Sequence, residues 1–381
     1  MGERHGRDAS AGANGPWRLV GTLLPADEPV ELWVVDGVFV PGPVAGATTI
    51  CDGGWIMPGF VDAHSHIGLG RGGAVDMGTA REQAVTDRDG GALLIRDAGS
   101  PIDTHEFDRD PELPRIVRAG RHIARPRRYI AGYAAEIEPG ELVDEVERQA
   151  RAGDGWVKIV GDWIDRSIGD LAPLWDSEEA AAAIARAHRL GARVTAHCFA
   201  EESVVQLVDA GIDGIEHGTG MSGAVIDTMA ARRVALVPTM INLATFGRIA
   251  DAGQAKYPVY AAHMRALGAR YRQVLASAYE AGVPIYAGTD AGGTIEHGRI
   301  SDEISALSTI GGAEFALGAA SWRARSWLGR SGIQYGASAD LVVLGADPRG
   351  DVSICASPEL IVLRGVPHRH RAGVHDPEPV G

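Results

Sequence analysis

The stretch Pro58-Gly-Phe-Val-Asp-Ala-His64-Ser-His66 decides the fold prediction for this chain. Its apolar residues are typical of a buried strand, and the two histidines stand at the end of that strand. Side chains two positions apart on a strand point to the same side, so His64 and His66 can bind one metal ion. A pair of ordinary surface histidines is the alternative, which the apolar strand before them makes less favourable.

Apolar segments of strand length recur after this first strand, and amphipathic helical patterns separate most of them. The further predicted strands are residues 92–98, 128–132, 156–161, 193–198, 214–217, 235–240 and 284–290. Eight strands that alternate with helices predict the α/β class and a parallel sheet closed into a (β/α)8 TIM-like barrel. An open, doubly wound sheet is the structural alternative.

Two β-rich stretches bracket the predicted barrel. Residues 17–57 and 333–371 are predicted to form a small β-sandwich domain together, since neither stretch could bury a core alone. The barrel then spans residues 58–332. Residues 1–16 are polar and rich in glycine, and we expect them to form a disordered tail.

Three later predicted strands end in side chains that bind metals, namely His197, His217 and Asp290. In a TIM barrel the reactive groups lie at the C-terminal ends of the strands, so we expect these side chains to meet the first two histidines. Each has a structural alternative, either a hydrogen-bonded histidine or an aspartate that caps a helix. Their recurrence at matching strand ends favours a shared metal site.

Lys158 lies within the predicted strand Trp156-Val-Lys-Ile-Val160, between apolar neighbours. Both faces of a parallel barrel strand are buried, so an ammonium group there must be paired or lose its proton. A neutral lysine can react with CO2 to form a carbamate, whose oxygens can bridge two cations. Pairing of Lys158 with a carboxylate such as Asp162 is the alternative.

Taken in order, these motifs resemble those of the amidohydrolase superfamily, and within it the binuclear members that carry a carboxylated lysine. The resembling segments are residues 58–66, 95–99, 157–159, 196–197, 214–218, 287–292 and 336–344. The resemblance runs from about residue 17 to residue 370. It is strongest to the imidazolonepropionase-like and prolidase-like amidohydrolases.

The resemblance implies two divalent metal ions, with zinc expected. The implied metal ligands are His64, His66, Lys158, His197, His217 and Asp290. The first two histidines and the aspartate would hold the more buried ion. The other two histidines would complete the second ion, and the lysine, as N6-carboxylysine, would bridge both.

One departure from the family pattern is expected after the third strand. Many relatives carry a glycine-flanked histidine there that can reach the substrate carbonyl, but residues 130–136 contain no histidine. Tyr133 is the candidate substrate-binding residue that could donate a hydrogen bond in its place.

The implied activity is that of a metal-dependent hydrolase that cleaves the C–N amide bond of a small substrate. A dipeptide, an N-acyl amino acid or a cyclic amide would suit such a site. A hydroxide that bridges the metals would be the nucleophile, because metal ions lower the pKa of bound water toward about 7. Asp290 would be the catalytic residue that accepts the proton and passes it to the leaving nitrogen.

Two other functions stay open. A mononuclear deaminase of a nitrogen heterocycle, on the same barrel, would bind one metal through histidines and Asp290 and use Glu201 or Glu202 as the proton shuttle. Lys158 favours the binuclear hydrolase over that deaminase. A non-catalytic amidohydrolase-like scaffold is the less favoured alternative, since loss of function should leave gaps in the ligand set.

Composition narrows the expected partners and location. The chain has 381 residues, a formal net charge of −14 and three widely spaced cysteines. Because phosphate groups attract basic surfaces, neither nucleic acid nor an anionic membrane is an expected partner. We expect a small-molecule substrate and a cytoplasmic location, with a homo-oligomer left open.

Overall fold

The computed structural model describes residues 15–369. Parallel strands alternate with helices through the middle of the chain in a TIM-barrel-like arrangement, which confirms the predicted α/β class. Apart from Gly15 and Pro16, the predicted tail at residues 1–16 lies outside the described residues.

Strands and helices have the following bounds in chain order. The strands are β1 Trp17–Leu23, β2 Glu28–Val35, β3 Val38–Val40, β4 Thr48–Pro58, β5 Phe60–Ser65, β6 Leu69–Gly70, β7 Gly73–Ala74, β8 Ala92–Asp97, β9 Arg115–Arg118, β10 Ile123–Ala124, β11 Ala135–Glu136, β12 Trp156–Val160, β13 Asp162–Asp165, β14 Asp170–Pro173, β15 Arg193–Cys198, β16 Gly214–His217, β17 Ala235–Val237, β18 Leu341–Leu344, β19 Leu360–Leu363 and β20 Val366–Arg369. The helices are α1 Met77–Asp89, α2 Leu142–Ala152, α3 Ser177–Arg189, α4 Glu201–Asp209, α5 Gly223–Arg232, α6 Met240–Leu243, α7 Phe246–Gly253, α8 Pro258–Glu280, α9 Ile300–Gly311, α10 Ala313–Ala319 and α11 Trp322–Trp327.

The strands that carry the polar motifs are parallel neighbours. β5, β8 and β9 form one sheet, and β10, β12, β15, β16 and β17 are adjacent in a second sheet. The predicted eighth strand carries isolated bridges, which pair Leu236 with Ile285 and Ser65 with Ala291. These bridges connect β17 to β5, so the segment links the two sheets although it is not a regular strand.

The predicted strand at residues 128–132 is wrong, because those residues form turns and bends. The third barrel strand is β9, which begins and ends with an arginine. Arg118 is nevertheless buried, because its guanidinium donates hydrogen bonds to Asp108 and Asp154 at 2.8 and 3.0 Å. Because two of its four residues are arginines, this short strand is not recognised when strands are predicted from runs of apolar residues.

Both chain ends contribute to one seven-stranded sheet, in the order β20-β19-β18-β4-β1-β2-β3. β4 is its central junction, since it pairs in parallel with β1 and antiparallel with β18. Its last residue, Pro58, is separated from the first barrel strand by Gly59 alone. The two-ended origin of this sheet agrees with the prediction, whereas the sandwich arrangement and the domain limits stay predictions.

The helices pack their apolar faces against the barrel strands, and α3 shows how the sequence specifies one. The Asp176 side chain caps this helix by accepting a hydrogen bond from the Glu179 N–H at 2.7 Å. Its apolar side, including Ala180 and Ile184, is buried in the core. No helix between residues 15 and 369 combines the length and apolar composition that a bilayer crossing requires.

A hairpin of β13 and β14 follows the fourth barrel strand and is held by neighbouring side chains. Arg128 donates a hydrogen bond to Asp165 at 2.9 Å. On the other side, His263 of α8 lies 3.0 Å from Asp170 and 3.1 Å from Glu201. Burial lowers the pKa of His263, but hydrogen bonds to these two carboxylates outweigh burial, and the pKa is raised overall.

The His263 contacts predict a pH-dependent contribution to stability. Because folding raises the pKa of this histidine, the contribution is complete below the ordinary value of about 6.5 and is lost as the pH rises through the raised value. His263→Gln should lower the free energy of unfolding by at most about 1 kcal/mol in mildly acidic buffer, since partly exposed ion pairs contribute little. Urea denaturation of both proteins in acidic and alkaline buffer measures this, and equal losses in both buffers would contradict it.

Candidate metal centre

His64, His66 and Asp290 bring three ligand atoms together at the end of β5. The Nε2 atoms of the two histidines are 3.2 Å apart, and Oδ1 of Asp290 lies 3.1 Å from each of them. Both histidines are buried. These three residues form a cluster that could hold a metal ion.

Further partners fix the orientation of both imidazole rings. Nδ1 of His64 lies 2.7 Å from Oε2 of Glu216, and Nδ1 of His66 lies 2.7 Å from the carbonyl oxygen of Gly99. Because both partners are acceptors, each Nδ1 carries the proton and the lone pair of each Nε2 faces the cluster. Two lone pairs and a carboxylate oxygen that converge in this way fit a divalent cation.

The other three predicted ligands lie beside this cluster. Nζ of Lys158 is 3.5 Å from Nε2 of His64. The ring centre of His217 is 5.4 Å from that of His64 and 4.7 Å from that of His197. Nε2 of His197 is buried and has no hydrogen-bond partner among residues 15–369, a costly situation that a bound cation would relieve.

Lys158 is buried and turned toward His64, which argues against the alternative of a pair with Asp162. Oδ2 of Asp162 instead accepts hydrogen bonds from the backbone N–H groups of Phe199 and Ala200, at 2.9 and 3.0 Å. Burial lowers the pKa of Lys158, against the opposing effect of nearby carboxylates. A lowered pKa favours the neutral amine that carbamate formation requires.

The surroundings also set the charge states of the other candidate ligands. Burial lowers the pKa of His217 to about 3 and holds that of His197 well below its ordinary value. Burial alone would raise the pKa of Asp290, but its contacts with His64 and His66, with that of His64 the larger, hold it well below the usual range. Neutral imidazole and ionised carboxylate are the forms that bind metal ions.

Two of the candidate ligands have a strained backbone. His217 has φ +67° and Asp290 has φ +60°, in the left-handed region that residues other than glycine rarely adopt. Each such residue costs roughly 1–3 kcal/mol, and the surrounding structure must hold it in place. Each residue stands at the end of a barrel segment. Its left-handed backbone conformation changes the direction of its side chain there, next to the other candidate ligands.

A pocket of about 100 Å³ opens at this cluster, and Tyr133, the predicted substrate-binding residue, lines it together with His66, His197 and Asp290. The other lining side chains are mostly aromatic or aliphatic, among them Leu69, Tyr129, Trp163, Phe199, Ile249 and Tyr260. A cavity of roughly 150 Å³ is known to accept benzene. The pocket therefore suits one compact apolar group beside the candidate ligands.

The expectation that the site lacks a histidine after the third strand is wrong. His122 follows β9, is buried, and has its ring centre 5.8 Å from that of His66. Its Nδ1 lies 3.2 Å from the Gly99 carbonyl oxygen, and its Nε2 has no partner within the described residues. The signal was the sequence Gly120-Arg-His122, which the misplaced strand at 128–132 concealed.

Glu216 is a second residue that sequence reasoning missed. Its fully buried carboxylate bonds not only to His64 but also to Arg96 of β8, at 2.5 Å, and to the hydroxyl of Thr195. Burial raises the pKa of Glu216, but Arg96 and His64 overcome this effect and hold it well below its usual range. A glutamate inside an otherwise apolar barrel strand was the available signal.

The proton shuttles that a deaminase would use lie elsewhere. Glu201 contacts His263 at 3.1 Å and forms an ion pair with Arg270. Glu201 and Glu202 are both exposed and line a groove on the outer side of α4. Neither residue lines the pocket that contains Asp290.

Comparisons with known proteins agree with this geometry. Residues 55–363 match the model of the amidohydrolase family. An uncharacterised protein from Mycobacterium tuberculosis strain H37Rv is 58% identical over 347 residues, which cover 91% of this chain and 94% of that protein.

Solved structures of similar fold cover nearly the whole chain. A Xaa-Pro dipeptidase with bound methionine in its active site matches with a TM-score of 0.79 and 20% identity, over 92% of this chain and 99% of that chain. A candidate prolidase from Bifidobacterium longum matches with a TM-score of 0.77 and 24% identity, over 93% of this chain and 95% of that chain. At these identities the likeness supports the TIM-barrel-like fold.

The contacts of Glu216 predict a double effect of Glu216→Gln. Loss of its charge leaves Arg96 buried without a carboxylate, so the free energy of unfolding should fall by about 3–5 kcal/mol. Because the amide has one acceptor oxygen for both Arg96 and the His64 ring, the ring is held less firmly, and affinity for Zn²⁺ should fall roughly 10–100-fold. Denaturation of the metal-free protein and competitive zinc titration measure the two effects.

Glu145→Gln is the matched control, since Glu145 is also a buried carboxylate that pairs with an arginine, but on α2. It should lose stability and keep the zinc affinity of the unmodified protein. Unchanged zinc affinity in Glu216→Gln would contradict the role given to its carboxylate.

Proposed function

The chain belongs to the amidohydrolase family, and we propose that it hydrolyses the amide bond of a small substrate at a centre of two divalent cations. It is an enzyme that acts on carbon–nitrogen bonds. Dipeptides, N-acyl amino acids and cyclic amides are the proposed substrates, and Xaa-Pro dipeptides come first because a Xaa-Pro dipeptidase shares the fold. The structural similarity to prolidase-like amidohydrolases supports this choice of substrate.

One observation carries the proposal: candidate ligands from five separate barrel segments lie close together, and three of them line one pocket. The proposed ligands are His64, His66, Lys158, His197, His217 and Asp290. His64 connects the two halves of the set, since its Nε2 lies 3.1 Å from Asp290 Oδ1 and 3.5 Å from Lys158 Nζ. The nitrogen and oxygen lone pairs of these side chains face one another and repel. A cation bound among them would remove this repulsion.

We assign the bridging position to Lys158 as N6-carboxylysine. Its amine is buried, its pKa is lowered, and its Nζ lies 3.5 Å from Nε2 of His64. Addition of CO2 to the neutral amine forms an N–C bond and releases one proton, which leaves an anionic group. That group would offset part of the positive charge of two cations, with zinc as the proposed metal.

When bound, the two cations supply an activated water at neutral pH and polarise the scissile carbonyl. Asp290 lies at the pocket with its carboxylate ionised, and it would take the proton of the attacking water and deliver it to the leaving nitrogen. The aromatic lining would hold an apolar part of the substrate and exclude bulk water. Tyr133 is proposed to bind the substrate at the pocket wall.

The mononuclear deaminase is less favoured on two observations. Its proton shuttles, Glu201 and Glu202, are exposed outside the pocket, and Lys158 would have no role in it. The presence and proximity of all six proposed ligands likewise agree with an enzyme and not with a non-catalytic scaffold.

Metal content is the first test. The protein should bind about two zinc ions per chain, and Lys158→Met should bind one or fewer because the bridging group is lost. Bicarbonate should speed the rebinding of zinc to the metal-free wild-type protein. It should have no effect on the rebinding of zinc to Lys158→Met. A stoichiometry near one in the unmodified chain would favour the deaminase.

Asp290→Asn tests the proton transfer. The amide keeps the shape and one ligand oxygen but cannot accept the proton, so the variant should retain most of its metal while kcat falls by about three orders of magnitude or more. The assay is amide hydrolysis in a screen of Xaa-Pro dipeptides, N-acyl amino acids and cyclic amides. Equal turnover would exclude this role for Asp290.

His122 is proposed to bind the substrate through Nε2, which has no partner among the described residues. Because Nδ1 faces the Gly99 carbonyl oxygen, Nε2 carries the lone pair and would accept a hydrogen bond from an N–H or O–H group of the substrate. His122→Ala should reduce kcat/KM up to about 10-fold, as loss of one hydrogen bond of roughly 0.5–1.5 kcal/mol does, without a loss of bound zinc. Steady-state kinetics and metal analysis of the same sample check this. Loss of zinc in the variant would instead make His122 a ligand.

A further inference from the structure

Beyond the ligands themselves, α6 contacts the site in two places. This short helix follows β17, and Asn242 on it donates from Nδ2 to Oδ2 of Asp290 at 2.6 Å. The residue just before the helix, Thr239, has its hydroxyl oxygen 2.7 Å from Nδ1 of His217. One segment therefore contacts proposed ligands that belong to two other barrel segments.

Both contacts control how a ligand faces the metal centre. Oδ1 of Asp290 lies 3.1 Å from the Nε2 atom of each histidine. The side-chain amide of Asn242 donates to the other oxygen, so the carboxylate cannot rotate freely. A cation can bind at Nε2 of His217 only if the ring proton is on Nδ1. The Thr239 hydroxyl oxygen favours that tautomer, because it can accept a hydrogen bond from Nδ1–H. Such partners commonly change metal affinity 10–100-fold.

The α6 segment has little stability of its own. It contains four residues, and no side chain of its own caps its first turn. Isolated helices of this length are not stable in water. Thr239 also has φ +50°, a left-handed conformation that costs roughly 1–2 kcal/mol for a residue with a Cβ atom.

Glu303 supplies the cap that α6 lacks. Its side chain comes from the first turn of α9, and its two oxygens accept hydrogen bonds from the N–H groups of Met240 and Ile241, at 2.8 and 3.0 Å. Glu303 is fully buried. These two bonds satisfy donors that the first turn of a helix leaves free. They lower the pKa of Glu303, but burial has the larger effect and raises it to about 8.

We propose that Glu303 is a positioning residue of the metal centre: by anchoring α6, it fixes Asn242 against Asp290 and Thr239 against His217. This inference rests on the proposed metal-dependent function. Glu303 itself contacts neither ligand, and its effect passes through a segment that both ligands share.

Binding of Co²⁺ to the purified full-length protein tests the inference without a substrate. Glu303→Gln keeps the size of the side chain but places an NH2 group against one of the two N–H donors. It should weaken Co²⁺ binding about 10-fold and change the visible absorption spectrum of the bound ion, since the ligands around it shift. Glu145→Gln should lose stability while it keeps the affinity and the spectrum of the unmodified protein.

A double-variant cycle separates positioning from simple destabilisation. If Glu303 acts through Asn242, the Co²⁺ affinity of Glu303→Gln/Asn242→Ala should fall no further than that of the weaker-binding single variant. The inference would be overturned if the losses of Co²⁺ affinity in the two single variants multiplied in the double variant. An unchanged Co²⁺ spectrum in Glu303→Gln would also overturn it. Should Glu303→Gln not fold, Glu303→Asp takes its place, since it keeps the carboxyl group but is too short to reach both N–H groups.

The outcomes distinguish this inference from the function on which it rests. An unmodified protein that binds no Co²⁺ overturns the proposed metal centre. An unmodified protein that binds Co²⁺, together with a Glu303→Gln variant of equal affinity and spectrum, overturns the positioning role alone.

Discussion

The buried contact between Glu216 and Arg96 is the interaction on which the rest of the site depends. Arg96 donates to the Glu216 carboxylate and to the carbonyl oxygen of Ala63, so it ties β8 and β16 to the strand that carries His64. A buried ion pair seldom adds much net stability, because both charges must leave water. In this site the ion pair fixes an orientation. Arg96 holds the Glu216 carboxylate, and that carboxylate holds Nδ1 of His64, so that Nε2 faces the metal cluster.

Much of the site could be predicted because two local rules determine position. Side chains two apart on a strand share a face, and parallel barrel strands all end at the same rim, so His197, His217 and Asp290 could be placed beside His64 and His66 without knowledge of any contact. The α/β class followed from the same alternation of strands and helices. Family membership then confirmed what the ordered motifs had suggested.

What could not be predicted depends on contacts between distant residues. The third strand looked polar because the partners that neutralise Arg118 come from elsewhere in the chain, and its misplacement concealed His122. Glu303 lies in the first turn of a helix, where acidic residues are common, and nothing in the sequence indicates that it reaches another segment. Such contacts depend on distances between elements, which no periodic pattern contains.

The pairing of β4 has a consequence for how the chain matures on the ribosome. β4 ends at residue 58, but its antiparallel neighbour β18 begins at residue 341, a difference of 283 positions. At roughly 5–20 residues per second, translation leaves that edge of β4 uncovered for about 15–60 s. The strand that leads into His64 therefore has only one of its two neighbours until β18 has been synthesised.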